Sequence, residues 1–333
     1  MARVIAFFSG DHVREAVSPQ RAYEAVREAF VAYARGEWSM PPKVYVPAYP
    51  AGDFRAMPAL GAGHALLKWV TSFPRNPAKG LPTVTGLVLL SDASNGTLLA
   101  ALDAAAVTAL RTGAAAVIAA DVLGAADGPD AAVIGAGVNG EAAARTFVAR
   151  GRTVRLWDVD ESRARSVAER IGAEVAGSRE EALAADLLVT VTPGREVVLD
   201  EGSLRPGQHA SLMGADGPGK AEIAVAELAR VRVFCDDWEQ PGSELIRGRG
   251  RIYADDWEQA SHNGDLVHAV EAGALSRDDV AQLGDVLIGT AEGRTSDRDI
   301  TIFDSTGLAI QDLAIALAAM EQADALDLPT VEL

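Results

Sequence analysis

Three glycines spaced Gly135-Ala-Gly137-Val-Asn-Gly140 directly follow the apolar run AAVI and open the helical stretch EAAARTFVAR. This spacing suits a dinucleotide. Gly135 permits a tight turn, Gly137 lets the backbone approach a pyrophosphate, Gly140 allows close helix–strand contact, and the helix N-terminus offers amide donors to the anion. Val138 and Asn139 belong to the same turn and are expected at the cofactor. Alanine- and glycine-rich packing alone can produce such a pattern, so the second strand decides. Asp158 ends the run RLWD, 23 residues after Gly135 and 18 after Gly140, where a carboxylate accepts hydrogen bonds from the adenosine ribose. A carboxylate there repels a 2′-phosphate, so NAD is expected over NADP, with Arg155 and Arg163 leaving room for dual use. The alternative role of Asp158 is a cap on the following helix, ESRARSVAERI.

Only four of the 30 basic residues are lysines: Lys43, Lys68, Lys79 and Lys220. An ammonium can titrate where a guanidinium cannot, which singles these residues out. Five histidines, His12, His64, His209, His262 and His268, form no HxH or HExxH pattern and read as structural. The single Cys235 has no CxxC or Cys/His company, so neither a disulfide nor a metal site is expected, and a reducing compartment fits. Phe303-Asp-Ser305-Thr-Gly307 lacks the first glycine of a nucleophile elbow, so serine hydrolysis is not supported.

The elements that must position these residues fall into two textures. Ser18-Pro19 starts an amphipathic helix running to Gly36. From Lys43 to about Asp103, short β-type runs (KVYVP, FRAMPAL, ALLKWVTSF, PTVTGLVLL, TLLAAL) alternate with turn clusters, SDASNG among them, and predict a mostly antiparallel sheet. Asp103 can cap the long alanine-rich helix that follows. Strand-like AAVIG (131–135), TVRLWD (153–158), DLLVTVTP (186–193), HASLMG (209–214) and VRVFCD (231–236), the first four separated by helical stretches, predict a doubly wound parallel sheet. The strand DITIFDS (299–305) then precedes a C-terminal helix expected to return to the first domain. VFCDDWEQ (233–240) repeats as IYADDWEQ (252–259), a local duplication too short for a solenoid array.

Bulk composition mainly excludes. The net charge of −17 disfavours nucleic acid and anionic membrane surfaces, since both attract positive charge. With 49% hydrophobic and 23% charged residues the chain buries a core, and its 333 residues suggest two domains. Val4 to Phe8 is too short for a signal-peptide core, and Asp103, Arg111 and Asp121 interrupt the apolar stretch around 100–126; a cytoplasmic protein is expected.

Eight segments in order, MPPKVYV (40–46), RAMPAL (55–60), LKWVTSFPRNPAKGLPTVTG (67–86), ALRTGAA (109–115), VTVTP (189–193), GADGPGKAE (214–222), DDWEQASHNGDL (255–266) and DITIFDSTGLAIQD (299–312), resemble the ornithine cyclodeaminase/μ-crystallin superfamily, within it the archaeal-type alanine dehydrogenases. All four lysines lie in such segments. The resemblance implies an α/β homodimer: a substrate and dimerisation domain of α+β type (1–122), a Rossmann domain (123–304) and a C-terminal helix (305–333) returning to the first. It implies NAD-dependent interconversion of a small amino acid with its 2-oxo acid and ammonia. The other activities it admits are a cyclodeaminase-type lyase with recycled NAD and a ligand-binding protein like μ-crystallin.

By the same resemblance Arg55 and Lys68 hold the substrate carboxylate, Lys68 lies near the reacting carbon, and Asp216 is the catalytic carboxylate. Arg111 and Thr112 contact cofactor phosphate or substrate carboxylate; Thr192, Ser305, Thr306 and Gly307 lie near the nicotinamide. Plainer roles exist for several: Lys68 snorkelling to water, Arg55 paired with Asp53, Arg111 bound to a carbonyl or an acid, Asp216 as a turn residue. The chain departs from the family in carrying two DDWEQ segments, and in having Arg55 where cyclodeaminases usually carry an acid used on the diamino substrate.

Overall fold

The structure is a computed structural model that describes residues 4–125, 128, 130–215, 220–228, 231–235, 265–273 and 280–332, with backbone alone for 232–235. The chain forms two compact units, 1–111 with 308–333, and 112–307. These divisions fall at 111/112 and 307/308, where the sequence suggested 122/123 and 304/305.

The first unit is built on a seven-stranded sheet in the order β15-β1-β6-β5-β4-β3-β2. Its strands are β1 (Val4–Phe8), β2 (Val44–Ala48), β3 (Gly52–Gly61), β4 (His64–Ser72), β5 (Val84–Asp92), β6 (Leu98–Asp103) and β15 (Thr330–Glu332). From β2 to β6 the pairing is antiparallel, as the alternating runs predicted, while β1 runs parallel to β6 and pairs with β15 at the other end of the chain. Helices α1 (Gly10–Ala16) and α2 (Pro19–Ala34) follow β1, and the Ser18 side chain accepts from Arg21 N at the start of α2. The C-terminal helix α10 (Ala309–Met320) packs on α2 and across β3 and β4. Apolar residues occur all round it, and nearly the whole helix is buried.

Helix α3 (Ala104–Leu123) begins in the first unit and ends in the second; Asp103 Oδ1 accepts Ala106 N at 2.7 Å at its start. It is the one described helix long and apolar enough to cross a membrane, and most of it is buried inside the protein.

The second unit holds an eight-stranded, all-parallel sheet in the order β13-β12-β14-β11-β10-β7-β8-β9. The strands are β7 (Asp130–Ile134), β8 (Thr153–Trp157), β9 (Glu174–Val175), β10 (Leu187–Thr190), β11 (His209–Leu212), β12 (Arg232–Cys235), β13 (Val280–Gln282) and β14 (Thr301–Asp304). The crossover helices are α4 (Val138–Ala149), α5 (Glu161–Ile171), α6 (Arg179–Leu183), α7 (Val225–Leu228), α8 (Leu266–Glu271) and α9 (Leu283–Ile288). Parallel strands buried on both faces read as near-continuous apolar runs, and β7 and β10 do so, while β11 is buried throughout with His209 and Ser211 among its residues. The doubly wound α/β architecture is the one expected; β1, β9, β13 and β15 had no assignment from sequence.

Candidate active site

In the first unit the chemistry gathers where β4 faces α10. Strand alternation turns Leu66, Lys68 and Val70 inward and Leu67 and Trp69 outward. Lys68 is therefore buried, 1% exposed, and does not snorkel; its Nζ donates to Asp312 Oδ1 at 2.9 Å. Arg111 Nε stands 3.7 Å from the same oxygen, and its NH1 reaches Gln311 Oε1 at 3.4 Å. Burial first, then the guanidinium groups of Arg111 and Arg55, bring the Lys68 ammonium from 10.5 down to about 8, although Asp312 opposes the shift. Arg55 lies on the adjacent strand with Nε on Asp53 Oδ1 at 2.6 Å and its guanidinium over the Tyr45 ring at 5.3 Å. The plainer pairing with Asp53 is thus real, and it also fixes the direction of the guanidinium.

This cluster is short of partners. Arg111 Nε, Gln311 Nε2 and Asp312 Oδ2 are buried without a hydrogen bond among the described residues. Unsatisfied buried polar atoms are costly, and two donors beside a lysine suit a carboxylate that completes the set.

In the second unit the glycine turn follows β7. Gly135 has φ +105, and a Cβ on Gly140 would lie 1.8 Å from Gly135 O, so both positions require glycine. At Gly137 nothing lies within 4 Å of the Cβ position, leaving an open approach to the first amides of α4. Val138 is 71% exposed there and Asn139 is half-buried beside it. Asp158 is buried, with Oδ2 accepting Ala136 N at 2.7 Å and Oδ1 accepting Asp160 N at 2.8 Å. Asp160, not Asp158, caps α5. Arg163 NH1 stands 3.4 Å from both Asp158 oxygens, whereas Arg155 pairs with Asp130 and Glu174. A cleft of about 660 Å³ lined by Trp157, Asp158 and Val159 opens beside this strand end. The Thr112 hydroxyl is buried without a partner, one residue before Gly113, where α3 meets the backbone of α4 at Ala142. Open backbone at Gly137, a carboxylate at the second strand end and an orphaned hydroxyl fit a dinucleotide.

Thr192 N and Oγ1 both donate to Glu222 Oε1, at 2.6 and 2.8 Å. Ser305 is buried at the end of β14 and donates its N–H to Leu212 O; Thr306 follows, and Gly307 turns the chain at φ +77. Asp216, His262 and both DDWEQ segments lie outside the described residues. Buried His209 bonds Thr301 and Ser211, and burial together with Arg294 pushes it to about 3. His12, His64 and His268 bond Ser9 N–H, Ala62 O and Lys220 O respectively. Among the described residues no three His, Cys, Asp or Glu side chains group as metal ligands.

Sequence reasoning missed Asp312, Gln311 and Glu222. Asp312 and Glu222 each end a segment that carried the resemblance, and an acid inside a helix as apolar as α10 was the available signal for Asp312.

A Rossmann unit, and another unit that carries a lysine–carboxylate–guanidinium cluster, define a dinucleotide-binding enzyme class. Family comparison makes this specific: residues 4–326 match the ornithine cyclodeaminase/mu-crystallin family, and the chain belongs to it. Alanine dehydrogenase of Archaeoglobus fulgidus is 42% identical over 94% of this chain and 93% of its own. Ornithine cyclodeaminase of Agrobacterium tumefaciens is 32% identical over 79% of this chain and 70% of its own. Among solved structures, an archaeal alanine dehydrogenase dimer with bound NAD superposes with a TM-score of 0.86 at 38% identity, covering 98% of this chain and 99% of that one. The Thermococcus litoralis Δ1-pyrroline-2-carboxylate reductase in complex with NADH and L-proline gives 0.85 at 26% identity, over 96% and 98%.

Proposed function

We propose that this chain is an NAD-dependent oxidoreductase of CH–NH2 and imine groups, interconverting a small L-amino acid with its 2-oxo acid and ammonia. The observation that carries the reading is the set formed by buried Lys68, Gln311 and Asp312 with partly buried Arg111, whose unpartnered donors suit a substrate carboxylate beside a lysine that titrates near 8. The 42% identity to an alanine dehydrogenase supports it.

In this reading Gly135, Gly137, Val138, Asn139 and Gly140 hold the pyrophosphate, Asp158 the ribose, and Thr112 a phosphate oxygen. Thr192, Ser305, Thr306 and Gly307 lie toward the nicotinamide. Bound NAD supplies the hydride acceptor. Arg55 and Arg111 orient the substrate carboxylate. Lys68 as the free amine takes a proton in the oxidative direction and as the ammonium returns it in the reductive one. Asp216 stabilises the cationic iminium of the substrate and helps activate water. The reducing compartment suggested by the single cysteine is the cytoplasm.

The chain is a homodimer in this reading, joined through the outer face of β2–β5. Leu67, Trp69 and Leu87 are each more than a third exposed there, as are Val44, Val46 and Leu60, and Phe54 stacks on Trp69 at 5.7 Å. The NAD-bound archaeal relative is a dimer.

The test is a panel of small amino acids with NAD, and of 2-oxo acids with ammonia and NADH. Turnover of at least one pair supports the reading, and none across the panel sinks it. The lyase reading predicts ammonia from ornithine without net NADH, and Arg55 at the position of the family's acidic residue speaks against it.

A further inference from the structure

β10 and β11 are neighbours in the parallel sheet, and the turns leaving their C-terminal ends carry Thr192 and Gly214. One buried carboxylate joins the two turns. Glu222, 0% exposed, accepts Thr192 N (2.6 Å) and Thr192 Oγ1 (2.8 Å) on Oε1, and Thr190 Oγ1 and Gly214 N (both 2.8 Å) on Oε2. The fit is close: a Cβ on Gly214 would lie 2.3 Å from Thr192 O and 2.6 Å from Glu222 Oε1. A second carboxylate holds the first. Asp265 Oδ1 accepts Glu222 N at 2.7 Å and Ile223 N at 3.3 Å, while Asp265 N and Leu266 N point to Asp304 Oδ2 at 3.1 and 3.3 Å. Three carboxylates thereby tie the end of β14 to the ends of β10 and β11.

Burying a carboxylate is an expensive way to join two loops, and an amide or an apolar side chain would cost less. Burial pushes both Glu222 and Asp265 up, and the Glu222 charge adds to the rise of Asp265, which reaches about 7. Two backbone N–H groups and two hydroxyls donate to Glu222 and oppose its rise. What it holds is the carboxyl end of the strands beside the glycine turn: Val191 O is 2.6 Å from the Cβ position of Gly135.

We propose that Glu222 is a positioning residue for the reaction, setting Thr192 and the Gly214 turn at the nicotinamide end of the cofactor. This rests on the oxidoreductase reading above.

The test compares the full-length wild type with Glu222→Gln, which keeps the shape but turns an N–H donor toward Thr192 N or Gly214 N. Bound NADH should change its nicotinamide emission while its Kd stays within about threefold, because the adenosine end is untouched. With an α-deuterated amino acid, kcat should fall about tenfold or more and the expressed isotope effect should rise, with KM for NAD nearly unchanged. Glu222→Asp should recover part of the loss. If Glu222→Gln does not fold, Thr190→Val removes one donor at nearly constant volume and should show the same signs at smaller size. Wild-type emission, kcat and isotope effect in a folded variant overturn the proposal, whatever the melting temperature. A wild type that binds NADH but turns over no amino or imino acid overturns the oxidoreductase reading instead, and the emission comparison then decides on Glu222 alone.

Discussion

Lys68 Nζ donates to Asp312 Oδ1 at 2.9 Å, although 244 residues separate them in the chain. Both side chains are buried, and Asp312 is the group that keeps the ammonium from falling further below its ordinary range. Oxidation of the amino acid needs Lys68 as the free amine, so kcat should rise with pH and level off above about 8; the reductive direction should fall above about 8. Asp312→Asn removes the charge that favours the ammonium, so both limbs should move to lower pH. A pH–rate profile measured in both directions checks this, and an unmoved or alkaline-shifted limb counts against Lys68 as the titrating group.

Lys68→Ala and Asp216→Asn should each lower the chemical step by about two orders of magnitude or more, while NADH binding stays nearly intact. Single-turnover kinetics with a parallel fluorescence titration separates the two quantities. Wild-type rates in both variants would show that the catalytic groups are others.

Asp158→Ala should lower the ratio of kcat/KM for NAD over NADP by about tenfold or more, since the carboxylate that repels a 2′-phosphate is gone. Arg163, 3.4 Å from both oxygens, is left to meet that phosphate. An unchanged ratio removes the ribose role of Asp158.

Trp69→Asp places a charge on the outward face of β4, opposite to the face that carries Lys68. Sedimentation equilibrium should show the wild type as a dimer and the variant shifted toward monomer, with unchanged far-UV circular dichroism. A wild-type monomer, or a variant as dimeric as the wild type, refutes this face as the interface.

The legible parts of the molecule were the local ones. Gly135, Gly137 and Gly140 act within one strand–turn–helix unit, and Asp158 sits at a set distance from them, so spacing carried the information. Lys68 stood out because ammonium groups are scarce in this chain. Asp312 and Glu222 act by long-range contact: one meets a strand 244 residues away, and the other bridges 30 residues to Thr192. No spacing rule reports such pairs. β1 was illegible because five residues carry no clear alternation, and its strand state depends on β6 and on β15 at the far end of the chain.

The proposed reaction is net, NAD-linked deamination that depends on Lys68. The direct measurement follows NADH absorbance and ammonia together, for wild type and Lys68→Ala, with L-alanine and other small amino acids. Wild type should give equimolar NADH and ammonia, and Lys68→Ala should lose both with NADH binding retained. Ammonia without net NADH, or equal rates in the two proteins, would contradict it.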